Sequence, residues 1–559
     1  MPTPIPASRG LNHGIGLALS GGGFRAAGFH LGTLAYLHRA GLLDQVEALS
    51  TVSGGTFAGA AYVLALIEKK PFEAFFSSFY GFLTHEVVLR KGLAGLSEEH
   101  PDVPSGRKAL IISMADVYTR TLCSRPDGTP YVFGDVLDAG LPIKEIAFNA
   151  TEFQTGKAFR FQTSQTRGFI GNSSIRLSRL EAAGIRLGDI VAASSCFPGG
   201  FEPIAFPFDF AWPGGKLPAS LKTQFERGGA PRPIALMDGG VYDNQGFDSL
   251  LLAERRDRNN LDPGETPETD ALGLLVISDV DKAHETLYDF PSVDIGSPIT
   301  LNTVNRISQA MLLVATVYGA LLGYRFFDRA ASLDVLEALL LGLPFVLVAA
   351  MAIIIFWVRR QARAAIRRVP HADRALWSDI KGLTLTQVVE MGVARMASLF
   401  ALSSRVFMKR IRQMGYDLLY ESPEYAGRQL STLIYDLTPE NPQYRYLRTG
   451  FLDPTPTLRR VIGVAAGLPT GLWFEAEYEL PCLVATGQAT LCYNLMKYIA
   501  ANYELAGAKV ENEDAPRMPM TPDIQALWDR LEADWRALND DPYALLTPLA
   551  GAMPVRPPR

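Results

Sequence analysis

Apolar positions follow two rhythms over the first sixty residues. Ile15, Leu17 and Leu19 lie in a short apolar run that stops at Ser20, the pattern of a buried strand. After Gly21, Gly22 and Gly23, the residues Phe24, Gly28, Leu31, Leu34, Ala35 and Leu37 recur at helical spacing. A second apolar run, 48–52, ends in Ser53-Gly54-Gly55, and another apolar helix leaves from there. Two parallel strands joined by a helix form a βαβ unit with a right-handed crossover. Both glycine turns therefore emerge at the same edge of the sheet, where the sites of α/β proteins lie.

Further along, Phe72, Phe75, Phe76, Phe79 and Leu83 share one helical face. That stripe has two readings: a core face, or part of an acyl-chain pocket or interfacial contact. Residues 95–130 mix charge, proline and glycine and predict a peripheral excursion. Residues 143–163 predict two strands across a turn at 155–157. Residues 192–203 form a small-residue helix end broken by Pro198 and two glycines. The Pro-, Gly- and aromatic-rich stretch 206–233 has no clear period and predicts a functional loop or lid. A strand at 233–237 then delivers Asp238-Gly239-Gly240, and 274–280 is another buried strand.

Two later runs lack charge. Residues 307–324 have none between Arg306 and Arg325, and 338–358 have none at all. The second is long enough to span a bilayer as a helix and the first is marginal. Together they predict a transmembrane hairpin whose flanks lie on one side. Arg359, Arg360, Arg363, Arg367 and Arg368 follow it, and such a cluster stays cytoplasmic or holds anionic headgroups. The catalytic part is accordingly expected to face the cytosol. Residues 383–420 are helical, carrying Arg405, Lys409 and Arg410, and 430–505 regain an α/β character that completes the first part. The expected organisation is a leader at 1–13, a catalytic part at 14–300, a hairpin at 301–360, a helical region and the catalytic remainder at 361–510, and a helix with a tail at 511–559.

Composition narrows the function. The chain of 559 residues has net charge −5, with no basic excess to mark a nucleic-acid partner. Cys123, Cys196, Cys482 and Cys492 form no CxxC pair, which fits a reducing compartment. The seven histidines show no zinc-ligand spacing, so no metal is expected. The first fourteen residues lack the apolar core of a secretory signal.

The two glycine turns suit acyl transfer. A serine on a sharp strand-to-helix turn has its hydroxyl pushed into the open. The turn Gly21–Gly22–Gly23 presents N–H groups at a helix start, where negative charge is favoured, as an oxyanion formed at Ser53 requires. Other readings stand beside this one. Gly21-x-Gly23-x-x-Ala26 also fits a loose dinucleotide fingerprint, with Asp44 at the distance of a ribose contact. Ser53 is also a natural helix N-cap. Asp-Gly at 238–239 is an ordinary turn signal, although a serine nucleophile needs a base and no histidine follows a matching strand end.

Four stretches in order resemble the patatin-like phospholipase family, which includes the cytosolic phospholipase A2 group. They are Ser20-Gly-Gly-Gly-Phe-Arg-Ala26, Val52-Ser53-Gly54-Gly55, Ala193-Ser-Ser-Cys-Phe-Pro198 with Phe201 and Pro203, and Asp238-Gly239-Gly240 followed by Tyr242 and Asn244. Thr51 stands where the GxSxG elbow has its first glycine, and Ala26 where plant patatins have glycine.

The resemblance implies an α/β, patatin-like three-layer hydrolase fold, here interrupted by the hairpin. It implies a Ser53–Asp238 dyad, an acyl-enzyme, and an oxyanion hole from Gly21, Gly22, Gly23 and Gly54, with no cofactor. Arg25 has two readings, a charge near the oxyanion or a lipid phosphate, or a structural ion pair. The expected substrate is a membrane phospholipid or lysophospholipid. A broader lipid ester or thioester hydrolase, an inactive membrane scaffold and a membrane nucleotide-binding oxidoreductase are the alternatives.

Overall fold

The computed structural model describes residues 14–85, 87–164, 169–227, 230–259, 272–281, 300–328, 382–438, 453–508, 517–551 and 553–557, with a few single positions between them. The chain divides into two units, residues 1–285 with 406–559, and residues 286–405.

The strands of the first unit are β1 (Ile15–Leu19), β2 (Val46–Val52), β3 (Glu145–Glu152), β4 (Lys157–Gln162), β5 (Ile170–Gly171), β6 (Arg176–Leu177), β7 (Ile204–Phe206), β8 (Glu226–Arg227), β9 (Ala230–Pro231), β10 (Ile234–Asp238), β11 (Leu274–Asp279) and β12 (Gln429–Leu433). Ten of them form one mixed sheet in the order β12-β11-β1-β2-β3-β4-β5-β6, with β10 on β3 and β7 on β10. β12, β11, β1, β2 and β3 run parallel. β4 and β10 run antiparallel to β3.

Alternation along the strands splits the core into two layers. Ile15, Leu17, Leu274 and Val276 enter the larger cluster with Phe29 and Val484, whereas Ala18, Leu275 and Ile277 meet Phe247, Leu250 and Leu419 on the other face. Strands covered on both faces read as continuous apolar runs. That is why β1 and β11 show little alternation in the sequence. On the larger face, α1 (Gly23–Ala40) lies against the helix Glu479–Asn502. Their backbones come so close that a Cβ on Gly32 would sit 2.2 Å from the Val484 carbonyl oxygen.

Several expectations change here. The stretch 143–163 is the β3–β4 hairpin, and the phenylalanine stripe lies on the buried face of the helix Phe72–His85. Within 95–130, by contrast, the helix Leu110–Leu122 is core, with Ile111, Ile112, Met114 and Tyr118 buried. Its apolar residues recur every three to four positions between the charged flanks, which masked the helix. The first part of the stretch 206–233, residues 206–212, is scaffold rather than lid. Phe206, Phe210 and Trp212 are buried, and the Phe206 ring contacts Phe159, Phe210 and Phe225. The C-terminal helix Pro522–Asp540 buries Trp528 and Trp535.

In the second unit, residues 307–324 lie within the helix Leu301–Asp328, where Leu313, Val314, Leu321 and Tyr324 are exposed. Among the described residues no helix is long and apolar enough to cross a membrane, so this helix does not support the expected first span. Ser308, Gln309, Thr316, Gly319 and Gly323 dilute its apolar run. The second expected span, 338–358, and the arginine cluster after it lie outside the described residues except for four single positions.

Candidate active site

Strand register brings the two turns together. Val52 at the end of β2 pairs with Asn149 of β3, and Asp238 at the end of β10 pairs with the next residue, Ala150. β2 and β10 occupy the same side of β3, because β4 takes the other, and they approach from opposite directions. Ser53 follows Val52 directly. The register therefore brings Ser53 and Asp238 to the same place beside β3. The Ser53 hydroxyl stands close enough to the Asp238 carboxylate to favour its ionised form.

The elbow is held by its surroundings. Ser53 has φ 50 and ψ −115, a region that L-residues enter at a cost. Its N–H donates to Ser194 Oγ at 3.0 Å, and that hydroxyl donates to the Asn149 carbonyl at 2.6 Å. The small-residue end of the helix Leu187–Ser194 thus fastens the elbow to β3. The helix α2 (Gly54–Ile67) starts against the other glycine turn: a Cβ on Gly54 would meet the Gly23 carbonyl oxygen at 2.2 Å. Ser53 sits at the N-cap position, but its side chain makes no cap hydrogen bond. The capping role therefore does not account for it.

Asp238 is 4% exposed. Burial pushes its carboxyl up from 3.8 to about 6, opposed by the Ser53 hydroxyl, the Gly240 N–H and the Arg412 charge. The Gly240 N–H donates to Oδ1 at 2.7 Å. Among the described residues no imidazole takes this place. His30 is buried, with Nδ1 and Nε2 bonded to Ser278 Oγ at 2.8 Å and to the Ser20 carbonyl at 2.9 Å, and burial lowers it to about 4.

The glycine turn differs in detail from the expectation. The Gly21 N–H donates to the Asn244 carbonyl at 2.9 Å and has no capacity left for an oxyanion. The Gly22 and Gly23 N–H groups, and that of Gly54 at the start of α2, have no partner among the described residues. The first N–H groups of a helix have no intrahelical acceptor. The next one, on Phe24, is taken by the Gly471 carbonyl at 2.8 Å.

Arg25 is held by main-chain oxygens on the far side of the turn. It is buried, and it donates from Nη1 to the Leu468 carbonyl and from Nη2 to the Val280 carbonyl, both at 2.8 Å. Asp44 lies in a short turn before β2, at the opposite sheet edge from the glycine turn after β1. The ribose contact of a dinucleotide site is excluded by that placement. Among the described residues no three His, Cys, Asp or Glu side chains are grouped to hold a metal ion.

One residue escaped the sequence reading. Arg412, on the helix Phe407–Glu421, reaches the site from far along the chain and meets Asn244 there. With the Asn244 amide oxygen turned toward it, Arg412 Nε donates at 2.6 Å. Beside the turn lies a cavity of about 110 Å³ lined by Leu468, Thr470, Gly471, Trp473 and Phe474. Phe75, Phe79 and Phe82 line a separate one of about 140 Å³.

The fold and site define an α/β protein with a serine–aspartate pair at the carboxyl edge of the parallel strands. Residues 17–251, which include Gly21 to Gly23, Ser53 and Asp238, match the family model for patatin-like phospholipase. Among solved structures the chain is similar to human GIVD cytosolic phospholipase A2, at 15% identity over 50% of this chain and 44% of that one, with a TM-score of 0.30. It is also similar to VipD from Legionella pneumophila, at 12% identity over 55% and 54%, with a TM-score of 0.21. The chain thus spans about half the length of these two proteins. A comparison with curated proteins gives no match.

Proposed function

We propose that this chain is a serine acyl hydrolase that cleaves acyl esters of phospholipids or lysophospholipids. The observation that carries the reading is the Ser53 hydroxyl set beside the buried Asp238 carboxylate, next to N–H groups of Gly22, Gly23 and Gly54 that have no partner among the described residues. Ser53 Oγ attacks the ester carbonyl as its proton passes to Asp238. The three N–H groups hold the oxyanion, preorganised where charge develops. Asp238 returns the proton to the leaving alcohol, and water, deprotonated by the same carboxylate, releases the acid. A base that titrates near 6 is ionised at neutral pH and still basic enough to accept a proton. The patatin-like phospholipase match over 17–251 supports a lipid ester over other acyl compounds.

Membrane attachment belongs to the same proposal. It rests on the uncharged run 338–358 and the arginines at 359, 360, 363, 367 and 368, which would keep the catalytic part at the cytoplasmic face. A hydrolase held at a bilayer meets its lipid without a diffusive search.

The test is fluorophosphonate labelling of the detergent-solubilised protein beside Ser53→Ala and Asp238→Asn, followed by a panel of phospholipids. Labelling should vanish in the first variant and weaken in the second. A folded wild type that stays unlabelled, or equal labelling of all three, refutes the hydrolase and favours a scaffold. Extraction of cell membranes with alkaline carbonate tests attachment separately: release of the full chain into the soluble fraction refutes an integral span.

A further inference from the structure

The Arg412 side chain is 11% exposed, and its fork is spread over three separate segments. Nη1 meets Asp281 Oδ1 at 2.7 Å, and Nη2 lies 3.5 Å from Asp279 Oδ1 at the end of β11. Nη2 also lies 3.4 Å from the Gly21 carbonyl. Nε bonds the Asn244 amide oxygen, in the loop that follows Asp238. The helix carrying Arg412 is tied down on both sides, by Gln245 Nε2 donating to the Arg412 carbonyl at 3.0 Å and by the Tyr416 hydroxyl donating to Asp279 Oδ2 at 3.0 Å.

A simple ion pair would need only Asp281. This guanidinium instead joins the glycine turn to the loop of the acid, which the main chain already links once through the Gly21 N–H and the Asn244 carbonyl. Two independent links between the segments fix their relative position. A planar five-donor fork does this where an ammonium cannot.

We propose that Arg412 is a positioning residue for the hydrolase reaction: its fork sets the glycine turn against the Asp238 loop, and its charge stands within reach of the dyad. This rests on the hydrolase reading above. Among the described residues, the groups that act on Asp238 are the Ser53 hydroxyl, the Gly240 N–H, the Cys196 thiol and the Arg412 cation. Arg412 favours the carboxylate over the acid. Losing the charge therefore raises the pH at which Asp238 ionises, and losing the fork loosens the oxyanion donors at every pH.

The experiment measures the rate of fluorophosphonate labelling against pH for the full chain and for Arg412→Gln and Arg412→Lys, with thermal melts to establish folding. Arg412→Gln should label on the order of tenfold to a hundredfold more slowly at its plateau, with the acid limb moved to higher pH. Arg412→Lys should restore the limb but not the plateau rate. Two results overturn the proposal: wild-type behaviour in Arg412→Gln, or a slower rate with an unmoved limb. If Arg412→Gln fails to fold, Arg412→Lys decides, because a full plateau rate there overturns the role of the fork. A wild type that does not label brings down the hydrolase reading and this role with it. A labelled wild type with an indifferent Arg412→Gln brings down this role alone.

Discussion

Replacing Asp238 by Asn should make the protein more stable at neutral pH while weakening its nucleophile. In the folded chain the carboxyl is lifted from 3.8 to about 6, with burial as the largest cause. The folded state therefore holds this proton more tightly than the unfolded state does. The favourable contribution is fully present below about pH 4 and is lost as pH rises through about 6. Above pH 7 the ionised carboxylate costs the folded state about 3 kcal/mol. Asn keeps the shape and an acceptor for the Gly240 N–H and never ionises. Any fixed difference between an amide and a protonated acid is the same at all pH values, so the pH-dependent part isolates the charge. Over a unit of about 440 residues, that penalty corresponds to on the order of 3 °C in melting midpoint. Melts of wild type and Asp238→Asn from pH 4.5 to 8 should diverge, with the variant gaining over that range. A difference that is constant, or that shrinks as pH rises, would refute a buried carboxylate held at the site against its own desolvation.

Two other substitutions probe the scaffold. Ser53→Gly and Ser53→Ala both lose the hydroxyl, but only Ala keeps a Cβ at φ 50. Ser53→Gly should be the more stable by about 1–2 kcal/mol, and an Ala variant that melts at or above the Gly variant would rule out strain at the elbow. Asp534→Ala removes an acceptor that Arg39 holds from Nε at 2.8 Å and from Nη2 at 2.6 Å. It should cost about 2 kcal/mol because Asp534 is buried, although Arg39 is half exposed; an unchanged melt would mean that the C-terminal helix does not brace α1.

The parts of the site that were legible in the sequence are the local ones. Ser53 and Gly22–Gly23 stand in turns written by neighbouring glycines and by a change from a short apolar run to a helical period, signals confined to about ten residues. Asp238 came into view through its family resemblance, since Asp-Gly alone says nothing of what lies across the sheet. Which N–H groups stay unpaired was not legible. Gly21 loses its donor to a carbonyl more than two hundred positions on, and no local pattern encodes such a bond. Arg412 stands in a basic run with Lys409 and Arg410, and a run of that kind reads as a solvated face. Only the fold shows that this one residue of the three turns inward. Arg25 illustrates the same limit: a cation beside a glycine turn suggests an anion, and only the fold shows its Nη1 and Nη2 donating to the Leu468 and Val280 carbonyls.

The same long-range bonds explain how the chain tolerates residues 286–405 between two halves of one unit. The first turn of α1 has donors beyond those aimed at the site, and their acceptors come from after the insertion: Gly471 for the Phe24 N–H and Leu468 for Arg25. Arg412, also from the second half, holds Gly21 from the other side. The strained elbow and the buried carboxylate both oppose folding. The Ser194 hydroxyl and the Gly240 N–H offset part of that locally, and the second half adds packing, above all the helix Glu479–Asn502, buried along most of its length against α1. A fragment ending before the insertion would keep Ser53 and Asp238 but lose the acceptors that hold the glycine turn in place. The glycine turn is therefore held by the joined halves, and residues 406–559 belong to the same compact unit as Ser53 and Asp238.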